Sequence, residues 1–215
     1  MEASIQPVPY PTIKRYPAYL QVLKEIKAAG ANTVSARDIA ERLNLNQVQV
    51  RKDLGYSAII GRPKVGYDID DLTEALHLLL GWQNPKEAFL VGAGALGSAL
   101  LGYRGFQEYG LDIVAAFDSD PAKHGTKIHG KTVFPMERLS ELAERMGVLI
   151  GVLTVPESYA QECADLLVEA GIRGIWNFSP IKVNVPPNVV VQREELSSSL
   201  AVLSVKLSEL LKKEE

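Results

Sequence analysis

Gly92-Ala93-Gly94-Ala95-Leu96-Gly97 has the spacing G-x-G-x-x-G, and it follows the apolar run Ala88-Phe89-Leu90-Val91 where a helical pattern begins. A strand that turns into a helix over three such glycines can receive a pyrophosphate. The first glycine allows the tight turn and the second lets the backbone approach the phosphates. The third lets helix and strand pack closely, with the phosphates on the helix N-terminus. The next apolar run ends in Phe117-Asp118, which sets a carboxylate 21 residues beyond Gly97. That is the offset at which an acid holds the diol of an adenosine ribose, and an acid there also repels a 2′-phosphate, which points to NAD rather than NADP. The competing reading is a glycine-rich turn that binds nothing. The order strand, glycines, helix, strand, acid weighs against it.

Groups able to turn a substrate over are missing from the pattern. A reductase needs a positioned proton donor, yet Tyr103, Tyr109 and Tyr159 are followed four residues later by Gln107, Ile113 and Cys163, never by Lys. His77 falls in a helical run, and His124 and His129 stand beside Gly125 and Gly130, so all three are expected at the surface. With Cys163 the single cysteine, neither a disulfide framework nor a zinc cluster can be built, and no metal is expected. The 118 residues after Gly97 suffice for a nucleotide fold and one terminal helix, not for a separate substrate domain. The expectation is a binding protein, not an enzyme.

A second kind of chemistry lies upstream. The whole chain of 215 residues has a net charge of −3, but residues 10–64 hold ten basic against four acidic residues, a net of +6 that would attract a polyanion. Tyr19, Leu20, Leu23 and Ile26 recur at helical spacing until Gly30, and Ser35 with Asp38 three residues on reads as the cap of a second, short helix. After the break Asn44-Leu45-Asn46, a third helix begins near Gln47 with Val50 and Leu54 facing inward. Gln47, Gln49, Arg51, Lys52 and Tyr56 are left for other surfaces. This is the pattern of a helix-turn-helix. The continuation 59–69 reads as two short strands around a basic turn that carries Arg62 and Lys64, which would make a winged helix with Lys14 and Arg15 adding charge nearby. Residues 1–12 show no periodicity and are expected as an irregular arm.

Beyond a helix at 72–82 and the break Gly81-Trp82-Gln83-Asn84-Pro85, strands are expected at 88–91, 112–117, 148–154, 174–177 and 189–191, with helices at 136–145 and 156–170 between them. Such alternation implies a parallel sheet covered on both faces, an α/β fold. Near the end, Leu196, Leu200, Leu203, Leu207 and Leu210 step by four, three, four and three, a stripe that can dock on a second chain. Three parts result: a winged-helix unit over 1–84, a Rossmann-type unit over 85–192, and a dimerisation helix over 193–215. The start lacks the basic and apolar regions of a leader and no run is long enough to span a bilayer, so a soluble, cytoplasmic location is expected.

Gln49-Val50-Arg51-Lys52-Asp53-Leu54, Val65-Gly66-Tyr67, the glycine motif, Leu153-Thr154-Val155-Pro156 and Asn177-Phe178-Ser179-Pro180 together resemble the Rex family of redox-sensing transcriptional repressors, over nearly the whole chain. The resemblance implies a homodimer that binds double-stranded, inverted-repeat operator DNA and leaves it when NADH accumulates, with NAD+ a weaker competitor. It also implies Arg51 and Lys52 as DNA contacts and Arg62 to Lys64 as the wing, where Pro63 and Lys64 replace the family's usual Arg and Gly. Thr154, Val155, Pro156 and Asn177 would lie against the coenzyme. Tyr103 matches a tyrosine that changes partners with redox state, and Glu195 stands where the family has the partner Asp. Leu196 and Leu200 are expected near the nicotinamide. The rival readings are a small NAD-dependent oxidoreductase and a module for CoA or another nucleotide, which the Asn177–Pro180 segment also resembles.

Overall fold

Residues 10–12, expected inside an irregular arm, wind with Ile13 into a short helix, α1 (Tyr10–Ile13), with Pro11 in its first turn. Proline suits that position because its fixed φ is already helical and its missing N–H would have no partner there. The computed structural model describes residues 7–84 and 86–212, and they divide into two units, Met1–Asn84 and Pro85–Glu215.

In the first unit α2 (Tyr16–Ala28) buries Tyr16, Tyr19, Leu20, Leu23 and Ile26 on one face. β1 (Thr33–Val34) leads into α3 (Ala36–Leu43). The Ser35 hydroxyl accepts from the Asp38 N–H at 3.1 Å and the Asp38 carboxylate accepts from the Ser35 N–H at 2.9 Å, a reciprocal cap. Asn44, left-handed at φ 50°, closes α3, and Asn46 Oδ1 accepts from the Val48 N–H to open α4 (Gln47–Leu54). β2 (Tyr67–Asp68) and α5 (Ile69–Leu80) complete the unit. The core joins Tyr16, Tyr19, Leu23, Ile39, Leu54 and Leu72, all fully buried.

The expected wing is reduced. Residues 59–61 form no strand; Arg62 and Gly66 make a single antiparallel bridge, and β2 pairs with β1 instead. The 3₁₀ turn at Gly55–Ser57 and the left-handed Ala58 (φ 58°) break the extended run before it can pair.

The second unit holds one seven-stranded sheet in the order β5-β6-β4-β3-β7-β8-β9, formed by β3 (Lys86–Val91), β4 (Leu111–Asp118), β5 (Lys127–Ile128), β6 (Lys131–Pro135), β7 (Ile150–Leu153), β8 (Gly174–Asn177) and β9 (Val190–Arg193). All neighbours run parallel except β5 against β6. Without the edge strand β5 the order is that of two mononucleotide-binding halves, and it reverses between β3 and β7, the place where ligands sit in open α/β sheets. The β5–β6 hairpin occupies a segment expected as loop. His129 and Gly130, both at positive φ, form its two-residue turn. α6 (Ala95–Gly102) and α7 (Gly105–Glu108) cover one face, where Leu101 packs with Leu90 and Ile113; α8 (Leu139–Met146) and α9 (Glu157–Glu169) cover the other, where Leu167 packs with Phe89 and Phe117. The helix expected from residue 136 starts as a 3₁₀ turn, Met136–Arg138. α10 (Leu196–Leu211) follows the sheet. No helix among the described residues is long and apolar enough to cross a membrane.

Candidate functional site

β3 ends at Val91, and the chain reverses through Gly92 into α6. Gly92 stands at φ +100°, where a Cβ would come within 2.8 Å of Val155 Cγ1, and a Cβ on Gly97 would fall on the Gly92 carbonyl oxygen. Nothing lies within 4 Å of the position a Gly94 Cβ would take. The loop is therefore packed from behind and open in front, as a backbone that receives phosphates must be. Gly94 caps α6 with no side-chain hydrogen bond and no acid in its first turn, which leaves the positive helix end to an anion.

Two side chains hold this loop. The Thr154 hydroxyl, just beyond β7, lies 2.8 Å from the Gly92 carbonyl and 3.0 Å from that of Val91, and donates to them. The Ala93 N–H donates to Asp118 Oδ2 at 2.8 Å. Asp118 ends β4, is 8% exposed, and also accepts from Lys123 Nζ at 2.8 Å and from the Asp120 N–H at 2.9 Å. Burial pushes its pKa up, but the Lys123 ammonium and the two backbone donors outweigh burial and hold the carboxyl below its usual value. A cavity of about 670 Å³ opens over these groups, lined by Gly92, Gly94, Asp118, Thr154, Val155 and Pro156 with Cys163 at its side. Glycine loop, helix end, buried acid and cavity fit a dinucleotide.

Two residues expected at this site lie elsewhere. Asn177 is fully buried; its amide donates to the Ile181 carbonyl at 2.8 Å and its oxygen accepts from the Ser179 N–H, so it folds the 177–181 turn and does not line the cavity. Tyr103 ends α6, packs edge-on against Phe106 at 4.8 Å, and lines a separate cavity of about 500 Å³ with Asp112 and Lys131, at the amino end of β4. Lys123 is the residue the sequence reading missed, although its place five residues after Asp118 was a usable signal.

In the first unit α4 presents Gln47, Arg51 and Lys52 to the exterior, with Tyr56 partly buried in the following turn and Arg62 and Lys64 exposed around the bridge. Lys14 stacks over the Tyr10 ring at 4.8 Å. Arg15, expected among the outward groups, is half-buried with its guanidinium on Asp53, while Gln49 is exposed and its amide donates to the same carboxylate. That carboxylate is fully buried on the inner side of α4 and accepts from Arg15 Nε (2.6 Å), Tyr19 Oη (2.6 Å), Arg15 Nη2 (2.8 Å), Gln49 Nε2 (2.8 Å) and Thr12 Oγ1 (3.0 Å). α4 is thereby tied to α1 and α2.

On α10, Leu200, Leu203, Leu207 and Leu210 are each more than half exposed. Glu195, just before the helix, pairs with Arg193 and accepts from the Ser198 hydroxyl. The side chain of Leu196 lies outside the described residues. No grouping of His, Cys, Asp and Glu among the described residues could hold a metal ion.

A family model described as a putative DNA-binding protein N-terminus matches residues 7–55, and a CoA binding domain model matches residues 83–181. The chain is 48% identical over 198 residues to the redox-sensing transcriptional repressor Rex of Treponema denticola, covering 92% of this chain and 94% of that one. It is 42% identical over 201 residues to the Rex of Bacteroides thetaiotaomicron, covering 94% and 91%. Among solved structures, the Rex-family repressor RSP in complex with β-NAD+ and operator DNA superposes with a TM-score of 0.87 at 34% identity, over 96% of each chain, and RSP in complex with β-NADH with a TM-score of 0.85 at 33% identity, over 97% of this chain and 99% of that one. With both halves of its architecture and nearly all of its length matched in these repressors, the chain belongs to the Rex family of redox-sensing transcriptional repressors.

Proposed function

We propose that two copies of this chain bind one inverted-repeat operator through paired α4 helices, and that NADH in the cleft over Gly92–Gly97 releases them. The observation that carries the proposal is the convergence, at the switch point of the sheet, of an open glycine loop, an uncapped helix end and a buried acid, in a chain that also presents a cationic helix. Arg51 and Lys52 on α4, with Arg62 and Lys64 at the bridge, supply charge for phosphates and base edges, and Gln47 and Tyr56 supply polar contacts beside them. Lys14 adds charge from α1.

Pairing follows from α10. A 16-residue helix with four leucines of one stripe more than half exposed gains by covering them, and a second copy offers the same stripe. Leu196 and Leu200 beside the nicotinamide favour the neutral reduced ring, because an unpaired cationic ring is costly to bury in apolar surroundings; NAD+ then competes weakly. Tyr103 and Glu195 are the proposed contact that changes with coenzyme state. The protein carries out no turnover: Tyr159, the one tyrosine lining the cavity among the described residues, has Cys163 four residues on, whose thiol is pushed up to about 11 by burial and the nearby Glu162 and Asp118 charges. It acts in the cytoplasm, where the chromosome is.

RSP has been solved with operator DNA and β-NAD+ together, and with β-NADH, which supports opposite preferences of duplex and reduced coenzyme. Release requires NADH to bind the free form more tightly; about 5.5 kcal/mol of difference gives a nearly complete switch. The test is a mobility-shift titration on an inverted repeat selected from random duplexes, with NADH, NAD+ and NADPH compared at fixed salt. NADH should dissolve the complex at concentrations where NAD+ does not, and Leu203→Asp should sediment as a monomer with weakened operator binding. A complex indifferent to NADH refutes the proposal.

A further inference from the structure

Asp118 cannot take a ribose diol alone. A carboxylate has about four acceptor positions, and three are in use here: Oδ2 accepts from the Ala93 N–H and from Lys123 Nζ, each at 2.8 Å, and Oδ1 accepts from the Asp120 N–H at 2.9 Å. One position remains for the two hydroxyl donors of a ribose. Lys123 has the complementary capacity. Its ammonium has three N–H donors, one of which faces Asp118, and its side chain is 34% exposed beside the cavity.

The lysine is held there by its own turn. Pro121–Lys123 is a 3₁₀ turn capped by Asp120, whose carboxylate accepts from the Ala122 N–H at 3.0 Å. The Thr126 hydroxyl donates to the Lys123 carbonyl at 2.6 Å, and His124 Nε2 lies 2.8 Å from the Asp118 carbonyl, to which it donates. Charge gives this placement a consequence. Glu137 and Glu162 join Asp118 along the cavity, and Lys123 is its one basic lining residue among the described residues. The acids oppose a 2′-phosphate, and the lysine opposes the acids.

Resting on the coenzyme cleft proposed above, we propose that Lys123 is a specificity-determining residue: it shares the adenosine ribose with Asp118 by donating to a hydroxyl oxygen, and it is the cation that moderates the exclusion of a 2′-phosphorylated coenzyme. NADH and NADPH affinities of the full chain, read from nicotinamide fluorescence, test this. Lys123→Met should weaken NADH by about three- to tenfold, the loss of one hydrogen bond, and should weaken NADPH by about tenfold more, because a charged contact is lost as well. Asp118→Asn should raise the affinity for NADPH relative to NADH by at least about tenfold, and adding Lys123→Met should abolish that gain. An unchanged NADPH-to-NADH ratio in Lys123→Met, or a gain in Asp118→Asn that survives the second change, overturns the inference. Because Asp118 also holds the glycine loop, circular dichroism melts should accompany its variants, and Lys123→Met decides on its own if Asp118→Asn does not fold. If the unaltered protein binds no NADH, the coenzyme reading itself falls and the inference with it; if it binds NADH but the ratio ignores Lys123, only the inference falls.

Discussion

Asp53→Asn should cost the first unit about 3 kcal/mol and loosen α4 without changing its exposed residues. α4 has only eight residues, too few to hold a helix by itself, and it meets the core through Val50 and Leu54. Asp53 adds five hydrogen bonds, to Thr12, Arg15, Tyr19 and Gln49. The asparagine keeps the volume but exchanges one acceptor oxygen for a donor, so donors on one side lose their acceptor and Arg15 loses its counter-ion. Breaking a buried pair from one side costs about 3–5 kcal/mol, and the lower end applies because the Arg15 side chain is 26% exposed. Amide hydrogen exchange over α2 to α4 reads this directly: about 3 kcal/mol is a loss of protection of roughly a hundredfold. Adding Arg15→Met should recover part of the loss, since no unpaired charge then remains. The acid limb supplies a second reading. Burial raises the Asp53 pKa, but Arg15, Tyr19, Gln49 and Thr12 overcome burial and leave it below the ordinary value. With the folded value below the unfolded one of about 3.9, the contribution is complete above the unfolded value and disappears as pH falls through the folded one. The variant should therefore lose less stability on acidification than the unaltered protein. A loss below about 1 kcal/mol, or a double variant in which the two effects simply add, refutes the reasoning.

Thr154→Val is isosteric and removes the hydroxyl donor from the Gly92 and Val91 carbonyls; NADH affinity should fall by about five- to tenfold, about one hydrogen bond, whereas Thr154→Ser should retain it, and equal affinities for both variants would mean that the hydroxyl does not position the loop. Lys64 stands at φ +64°, where a non-glycine residue costs about 1 kcal/mol. Lys64→Gly should thus raise the urea midpoint slightly while weakening operator binding, with the slope of log K against log salt flattened by about 0.9 for one lost phosphate contact; an unaltered slope would remove Lys64 from the DNA surface.

What could be read from the chain depended on how local the determinant was. The Ser35–Asp38 cap, the buried faces of α2 and α4, the glycine turn and the parallel core strands are each encoded within a few residues, and the structure forms them all. The β5–β6 hairpin was overlooked although His129-Gly130 is a two-residue turn signal, because Lys127 and Lys131 flank it and mask the alternation. The wing is reduced at Ala58 and Lys64, both at positive φ, where backbone conformation, not side-chain pattern, decides whether a strand can pair. Asn177 stands at a strand end and Tyr103 rests on a family match, and neither fixes where a side chain points. Least legible was the Asp53 network: Thr12, Arg15 and Tyr19 lie 41, 38 and 34 residues away, and an acid beside Arg51 and Lys52 looks like surface until the fold brings those partners around it.

The two units solve one problem in the same way. Each carries a short functional element, α4 or the loop of Gly92–Gly97, that cannot keep its shape unaided, and each anchors it with a buried carboxylate that accepts from neighbouring elements: Asp53 from α1 and α2, Asp118 from the 120–123 turn. Anchored this way, neither element has a cheap alternative conformation, since leaving it would strand a buried charge. Release of operator DNA by NADH, as proposed, then cannot proceed by melting α4. A ligand shifts an equilibrium only between states that differ in its own binding energy, and with both reading elements locked inside their units, the proposed release is a change between states of the proposed dimer and not a change within α4. The free energy of switching therefore belongs to weakly held surfaces such as α10, and substitutions there should change the NADH response more than substitutions in either locked core.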